Sequence, residues 1–460
     1  MDWVTCAHSA ACTGIARQPY GLCLSHLPPE HLDQELAEMS SGRLLDLRGT
    51  TLTGDLLARV LEATGNRPGR ARLDRVRFTG DVRLAGVTFA GDVTLDEARF
   101  DRLASFFGAR FEGNVSLAGA RFARELSFHG VRVRGHVRLD RAVMARDALF
   151  SQAVFGHGLS CERARFDGYA TFDGARLGGA AFRGARFGRT VSFRKVAGSA
   201  WFDGAHFAAD AYLSGTGRFS AARCRADGVL DLSVQDCGVD LRRIDVTGTT
   251  TIRLADSHAD LEGAVLRGHA VVKGRGRAMV SSLRHVEAPS MELVALDLSA
   301  CRFAGLAHPA GVRLRDCTFA LTPRGVRVSL RWPMLRWFSR RRALADEHGL
   351  RGWSAADSAA AADRQATADR LATLYAELRP HVDDSGTSAD FAFAAMEMRR
   401  QASRRWWLSL SWLLWGYGMR LGRAAGWAAL IAAITGGALL WTSTSHAAPR
   451  ASHPRSAIHS

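Results

Sequence analysis

The sequence predicts a mainly β chain, built as a solenoid and followed by an α-helical hairpin and a C-terminal transmembrane helix. Three observations predict this. Large apolar residues recur at alternating steps of six and five, as at Phe78, Leu84, Phe89, Leu95 and Phe100. A small or branched apolar residue stands two positions before most of them, as Ala98, Ala109, Ala120, Val82, Val93 and Val115 do. Near the C-terminus, Ala424 to Trp441 runs without a charge.

At the N-terminus, residues 1–40 place Cys6, Cys12, Cys23 and His26 in a C-x5-C-x10-C-x2-H arrangement. Four soft ligands over so short a stretch suit one structural tetrahedral Zn, whose binding would supply folding energy that the segment cannot draw from a core. His8 is an alternative ligand. The spacing matches no common zinc finger, so unligated thiols stay open as the other reading. Residues 41–72 carry a helix-like run from Asp55 to Ala63, expected to cap the open first coil.

Residues 73–320 hold the rhythm. An eleven-residue apolar period also fits a right-handed helical supercoil. Glycine inside nearly every repeat excludes it, since each would cost a helix about 1 kcal/mol, whereas Phe, Val and Thr suit extended chain. Two inward residues spaced two apart make a short strand, and the remaining residues turn a corner. Coils of this kind bury their inward faces only against neighbouring coils.

The units "EARFD", "GARFE", "GARFA", "RARFD" and "GARFG" resemble the pentapeptide repeat, in its Phe-centred variant alternating five with six residues. The likeness runs from Leu73 to Cys224 and degenerates towards Phe319. It implies a right-handed quadrilateral β-helix with four units per coil. The family's usual Asp or Asn at the second position is often Arg here, as at Arg99, Arg110, Arg121 and Arg132. If two eleven-residue repeats close a coil, these form two ladders on opposite faces with rungs about 4.8 Å apart. They read either as solvated outer side chains or as a surface for an anionic partner. Some pentapeptide-repeat proteins imitate DNA towards gyrase through an acidic surface. This solenoid is basic, which argues against gyrase-type mimicry.

Residues 321–345 combine Arg331, Arg336, Arg340, Arg341 and Arg342 with Trp332, Trp337 and Phe338. Basic and aromatic residues together suit a membrane surface or nucleic acid, and the apolar segment downstream favours the membrane. Residues 346–405 read as a helical hairpin. With Met396 to Arg400 and Tyr417 to Arg420, they resemble the region preceding the membrane segments of membrane-anchored pentapeptide-repeat proteins. Residues 406–423 are expected flat in the interface. Residues 424–441 would span about 27 Å as a helix, against a hydrocarbon core near 30 Å. Residues 442–460 form a short tail, expected on the far side of the membrane.

The chain has 460 residues, 47% hydrophobic and 23% charged, which fits folded structure rather than disorder. Its formal charge of +16 favours anionic partners. Lys195 and Lys273 are the only lysines, so the arginine excess reflects either composition or binding. The first residues lack a signal-peptide layout, so the N-terminal domain is expected in the cytoplasm, without disulfides. The sequence contains no H-E-x-x-H, G-x-S-x-G or Walker A motif. The expected function is a non-enzymatic, membrane-tethered scaffold for an unknown protein partner. The alternatives are a nucleic-acid- or anion-binding solenoid and a subunit of a channel or transporter, which would require a homo-oligomer.

Overall fold

The computed structural model describes residues 3–323, 325–328, 335–338, 340–353, 364–403, 411, 417, 426–436 and 438. In the first half of the solenoid, two-residue strands alternate with tight turns. Ala71–Arg72, Arg77–Phe78, Val82–Arg83 and Thr88–Phe89 make one coil, and Val93–Thr94 begins the next. Pairing is parallel and in register, Arg99 and Phe100 lying over Arg77 and Phe78. The four strands of each coil stack into four sheets of twelve, eleven, twelve and four strands.

The inward position is filled by rings. Phe78, Phe100 and Phe122 stack with centroids 4.7 and 4.5 Å apart. Phe106, Phe128, Phe150, Phe172 and Phe193 form a second column at 4.4–5.3 Å. These are favourable offset-stacking separations, and each ring is also almost fully buried. At the corners one residue takes a positive φ every eleven positions, for example Glu97, Gly108 and Gly119. A second kind of glycine serves close approach between coils. A Cβ on Gly135 would lie 2.5 Å from the Gly113 carbonyl oxygen, so no larger residue fits there.

The quadrilateral does not persist. The fourth sheet holds only the strands at residues 88–89, 110–111, 132–133 and 154–155, and continues as single bridges through Arg176 to Ala197. From Val191–Ala197 onward the third and fourth faces merge into one longer strand, as in Ala211–Thr216, Leu230–Gln235, Thr250–Ala255 and Ala270–Arg275. One corner is lost. The strand register spans 22 residues early in the solenoid, as from Arg77 to Arg99, and 19 to 21 later, as from Ala211 to Leu230 and from Met291 to Val312. Leu230, Leu232 and Val234 now bury alternate positions of one continuous strand, which is why the five-and-six rhythm fades there.

Both ends are closed. The first coil is covered by the Cys/His module and by α1 (Pro29–Glu38) and α2 (Gly54–Ala63). Thr53 caps α2 by accepting from the Leu56 amide, and Leu57, Val60 and Leu61 form its buried stripe. The last coil is covered by α3 (Ala345–Arg351), α4 (Arg364–Leu378) and α5 (Ser385–Ala402). The Asp346 carboxylate accepts from the Phe303 and Ala304 amides at 2.7 and 3.2 Å, and Asp383 accepts from Asp316. These bonds satisfy backbone groups that no further coil would reach. The hairpin expected at 346–405 therefore also seals the solenoid.

Among the described residues no helix is long and apolar enough to cross a membrane. Residues 426–436 and 438 are helical, and the rest of the expected span, Ala424 to Trp441, lies outside the described residues. The expected interfacial run, 406–423, also lies outside them except for Ser411 and Tyr417.

Candidate metal centre and charged surfaces

In the N-terminal module, Thr5 and Ile15 bridge antiparallel, as do Arg17 and Leu22, and a short 3₁₀ turn, Leu24–His26, follows Cys23. These pairings bring Cys6, Cys12, Cys23 and His26 together. Their ligand atoms all lie within 4.8 Å of one another, a group that could hold a metal ion. His26 Nδ1 is 3.4, 3.4 and 3.3 Å from the sulfurs of Cys6, Cys12 and Cys23, and the Cys12 and Cys23 sulfurs are 3.7 Å apart. Cys6 and Cys23 are buried. His8 is outside this group and stacks on the His26 ring at 4.0 Å.

Burial works against the Cys6 thiolate. Amide N–H groups of Cys23 and His8, with the His26 ring, outweigh it and bring Cys6 down to about 7. Burial pushes Cys12 up to about 12, and the nearby Cys23 adds to this. Crowded thiols resist joint ionisation unless a cation balances them.

The two arginine ladders have the expected register. Arg121 lies over Arg99 and Arg132 over Arg110, all four exposed. They are shorter than a full ladder, because Thr88, Val143 and Val154 occupy the next rungs. Elsewhere on the surface arginines pair with acids: Arg75 with Glu97, Arg77 with Asp101 and Arg134 with Glu112, at 2.8–2.9 Å. Arg99, Arg110, Arg121 and Arg132 make no such ion pair among the described residues. A corner column that the sequence reading missed, Arg102, Arg124, Arg146 and Arg189, borders a recess of about 740 Å³ together with Asp147 and Tyr169. Its signal was available as arginine two after the central apolar residue, as in "RFARE".

In the segment at 321–345 one arginine departs from the expected surface position. Gly325–Val328 and Leu335–Phe338 pair as an antiparallel hairpin. Arg331 lies outside the described residues, and Arg336 is described only as backbone of that hairpin. Arg340 is exposed, and Arg342 is partly exposed and pairs with Asp384 at 2.6 Å. Arg341, expected on an anion or membrane surface, is instead buried against Glu347 at 2.5 Å. A charge withdrawn from water this far requires a partner, and α3 supplies one.

That pair opens a buried ionic chain. Glu347 also accepts from Tyr375 at 2.8 Å and pairs with Arg351 at 2.7 Å, Arg351 reaches Glu397 at 3.4 Å, and Arg400 binds Glu397 at 2.7 Å. Burial alone would raise Glu347 and Glu397. The arginines overcome it and hold both below the usual carboxylate range. Tyr417 sits against Phe393 and is pushed up by burial, with the Glu397 charge adding to the effect. Glu397 and Arg400, from the stretch Met396 to Arg400, thus meet Arg351 and Tyr417 in one lock between α3 and α5.

A family model described as Pentapeptide repeats (9 copies) matches residues 84–132 and 128–176. The match ends at Arg176, where the four-sided coil gives way to the three-sided one. Among solved structures the chain is similar to HetL, a pentapeptide repeat protein involved in heterocyst differentiation regulation from the cyanobacterium Nostoc sp. strain PCC 7120. Identity is 16%, over 63% of this chain and 93% of that one, with a TM-score of 0.17. No curated protein matches the chain.

Proposed function

We propose that this pentapeptide-repeat solenoid is a non-enzymatic scaffold, tethered to a membrane near its C-terminus, that engages a protein partner along its faces. The observation that carries the tether is the helix at residues 426–435, exposed throughout, with Leu430, Ile431 and Ile434 47–62% exposed. A helix apolar on every side is stable when lipid or protein covers it. Trp427 and Trp441, with Arg420 and Arg423 before the segment, are the interfacial residues expected of a span. The scaffold reading follows from the solenoid itself. Its interior is filled with stacked phenylalanine, so recognition falls to the outer side chains, which are held on rigid, evenly spaced rungs.

Membrane fractionation tests the tether. The full chain should sediment with membranes and resist high salt, whereas residues 1–423 should come off in salt. A full chain found in the soluble pool at low salt would overturn the reading. Arg99, Arg121, Arg110 and Arg132, which make no ion pair among the described residues, support a partner with an acidic face. Nucleic acid is the second reading for the same residues, and its mark would be affinity falling steeply with salt whatever the sequence.

A further inference from the structure

We propose that Cys6, Cys12, Cys23 and His26 hold one zinc ion in a closed structural site, and that this ion clamps the N-terminal module onto the leading edge of the solenoid. A tetrahedral zinc about 2.3 Å from sulfur and about 2.0 Å from nitrogen requires edges of about 3.8 Å between sulfurs and about 3.5 Å from sulfur to nitrogen. The Cys12 and Cys23 sulfurs are 3.7 Å apart, the three sulfur-to-Nδ1 separations are 3.3–3.4 Å, and all four ligand atoms lie within 4.8 Å of one another. Three thiolates and an imidazole form a soft donor set that selects zinc over hard cations. They complete the tetrahedron, so the site has no open position for a reacting water.

The clamp follows from what the ligand loops touch. In the first face, amides point forward along the solenoid, Leu45 donating to Arg70 and Leu47 to Arg72. The carbonyls of the first coil therefore face backward, where no coil precedes them. The module meets three of them. Ile15 N–H donates to the Arg48 carbonyl at 2.8 Å, the Thr13 hydroxyl to Gly49 at 2.9 Å, and the Arg17 guanidinium to Asp46 at 2.6 Å. These donors lie between Cys12 and Cys23, inside the loop that the ion would close. Gly14 is wedged at the seam, because a Cβ there would sit 2.6 Å from the Cys23 Cβ and 3.4 Å from the Thr50 Cα. Leu24 and Leu27 join the same core cluster as Leu45 and Leu47. Few apolar side chains hold the module, so loss of the metal would free the loop and leave the first coil's carbonyls without donors.

The test uses the full chain, purified in detergent without chelators. Elemental analysis should give one zinc per chain, and cobalt replacement should give the intense thiolate-to-metal absorption of a Cys3His tetrahedral set. Stripping the zinc should raise hydrogen exchange at least tenfold in residues 5–27 and 43–52, leave residues 110–180 unchanged, and reverse when zinc is returned. Cys12→Ala should lose metal, while His26→Cys should keep it and so control for misfolding. Metal-free protein with these segments protected would overturn both parts. Bound zinc whose removal leaves exchange at residues 43–52 unchanged would overturn the clamp and leave the site standing.

Discussion

Neighbouring residues in this chain have opposite fates, and Arg121 and Phe122 show why. Phe122 is 1% exposed and stacks on Phe100 at 4.5 Å, while Arg121 points outward without an ion pair among the described residues. Phe122→Asp should bury an unpaired carboxylate and cost more than about 4 kcal/mol, and Phe122→Ala about 3–5 kcal/mol. Arg121→Ala should change stability by less than about 0.5 kcal/mol. Thermal melts of the three variants check this, and equal tolerance would overturn the register. The inward phase was legible in the sequence because a strand alternates sides every residue, so one apolar column fixes all the others. The burial of Arg341 was not. Its partner Glu347 is close in sequence, but the pocket around them is completed by Tyr375 and, through Arg351, by Glu397, which only the fold brings near.

At the scale of elements, the C-terminal helices and the β coils are held by different forces and should respond differently to acid. The solenoid core is aromatic and aliphatic. The helical cap depends on Glu347 and Glu397, whose carboxyls are held below the usual range by buried arginines. A depressed folded value means that their stabilisation is fully present above the unfolded value, near 4.5, and is lost as pH falls through the lower folded value. Acid should therefore release α3 to α5 while the β signal persists. Circular dichroism with hydrogen exchange through the acid range would show it, and simultaneous loss of both signals would contradict it. Glu347→Gln should cost about 3–5 kcal/mol at neutral pH by stranding Arg341, read as earlier melting of the helical signal. The sequence announced four-sided coils well up to Arg176. Beyond it the third and fourth faces merge, and a strand of six or seven residues gives simple alternation, which carries no count of corners. The helices at 364–402 were legible, but their sealing role was not, since it rests on single carboxylates such as Asp346 meeting backbone amides of a distant coil.

For the molecule as a whole, the proposed tether predicts an orientation. Six arginines from Arg399 to Arg423 precede the apolar segment, and only Arg450 and Arg455 follow it. Flanking positive charge is retained on the cytoplasmic side. With tags at both termini, external protease on spheroplasts should remove the C-terminal tag and spare the N-terminal one, and the opposite pattern would refute the orientation. The closed ends carry a further consequence for how copies of this chain can meet. Stacked β coils with bare edges would polymerise lengthwise, each molecule templating the next. Here the Asp46, Arg48 and Gly49 carbonyls of the first coil and the Phe303, Ala304 and Asp316 amides of the last are already taken by the chain itself. The solenoid thus has a fixed length of about twelve coils, and strand pairing between copies is not built into its ends, so contacts between solenoids would run flank to flank. On a membrane such contacts would spread as a two-dimensional array rather than grow as a fibre.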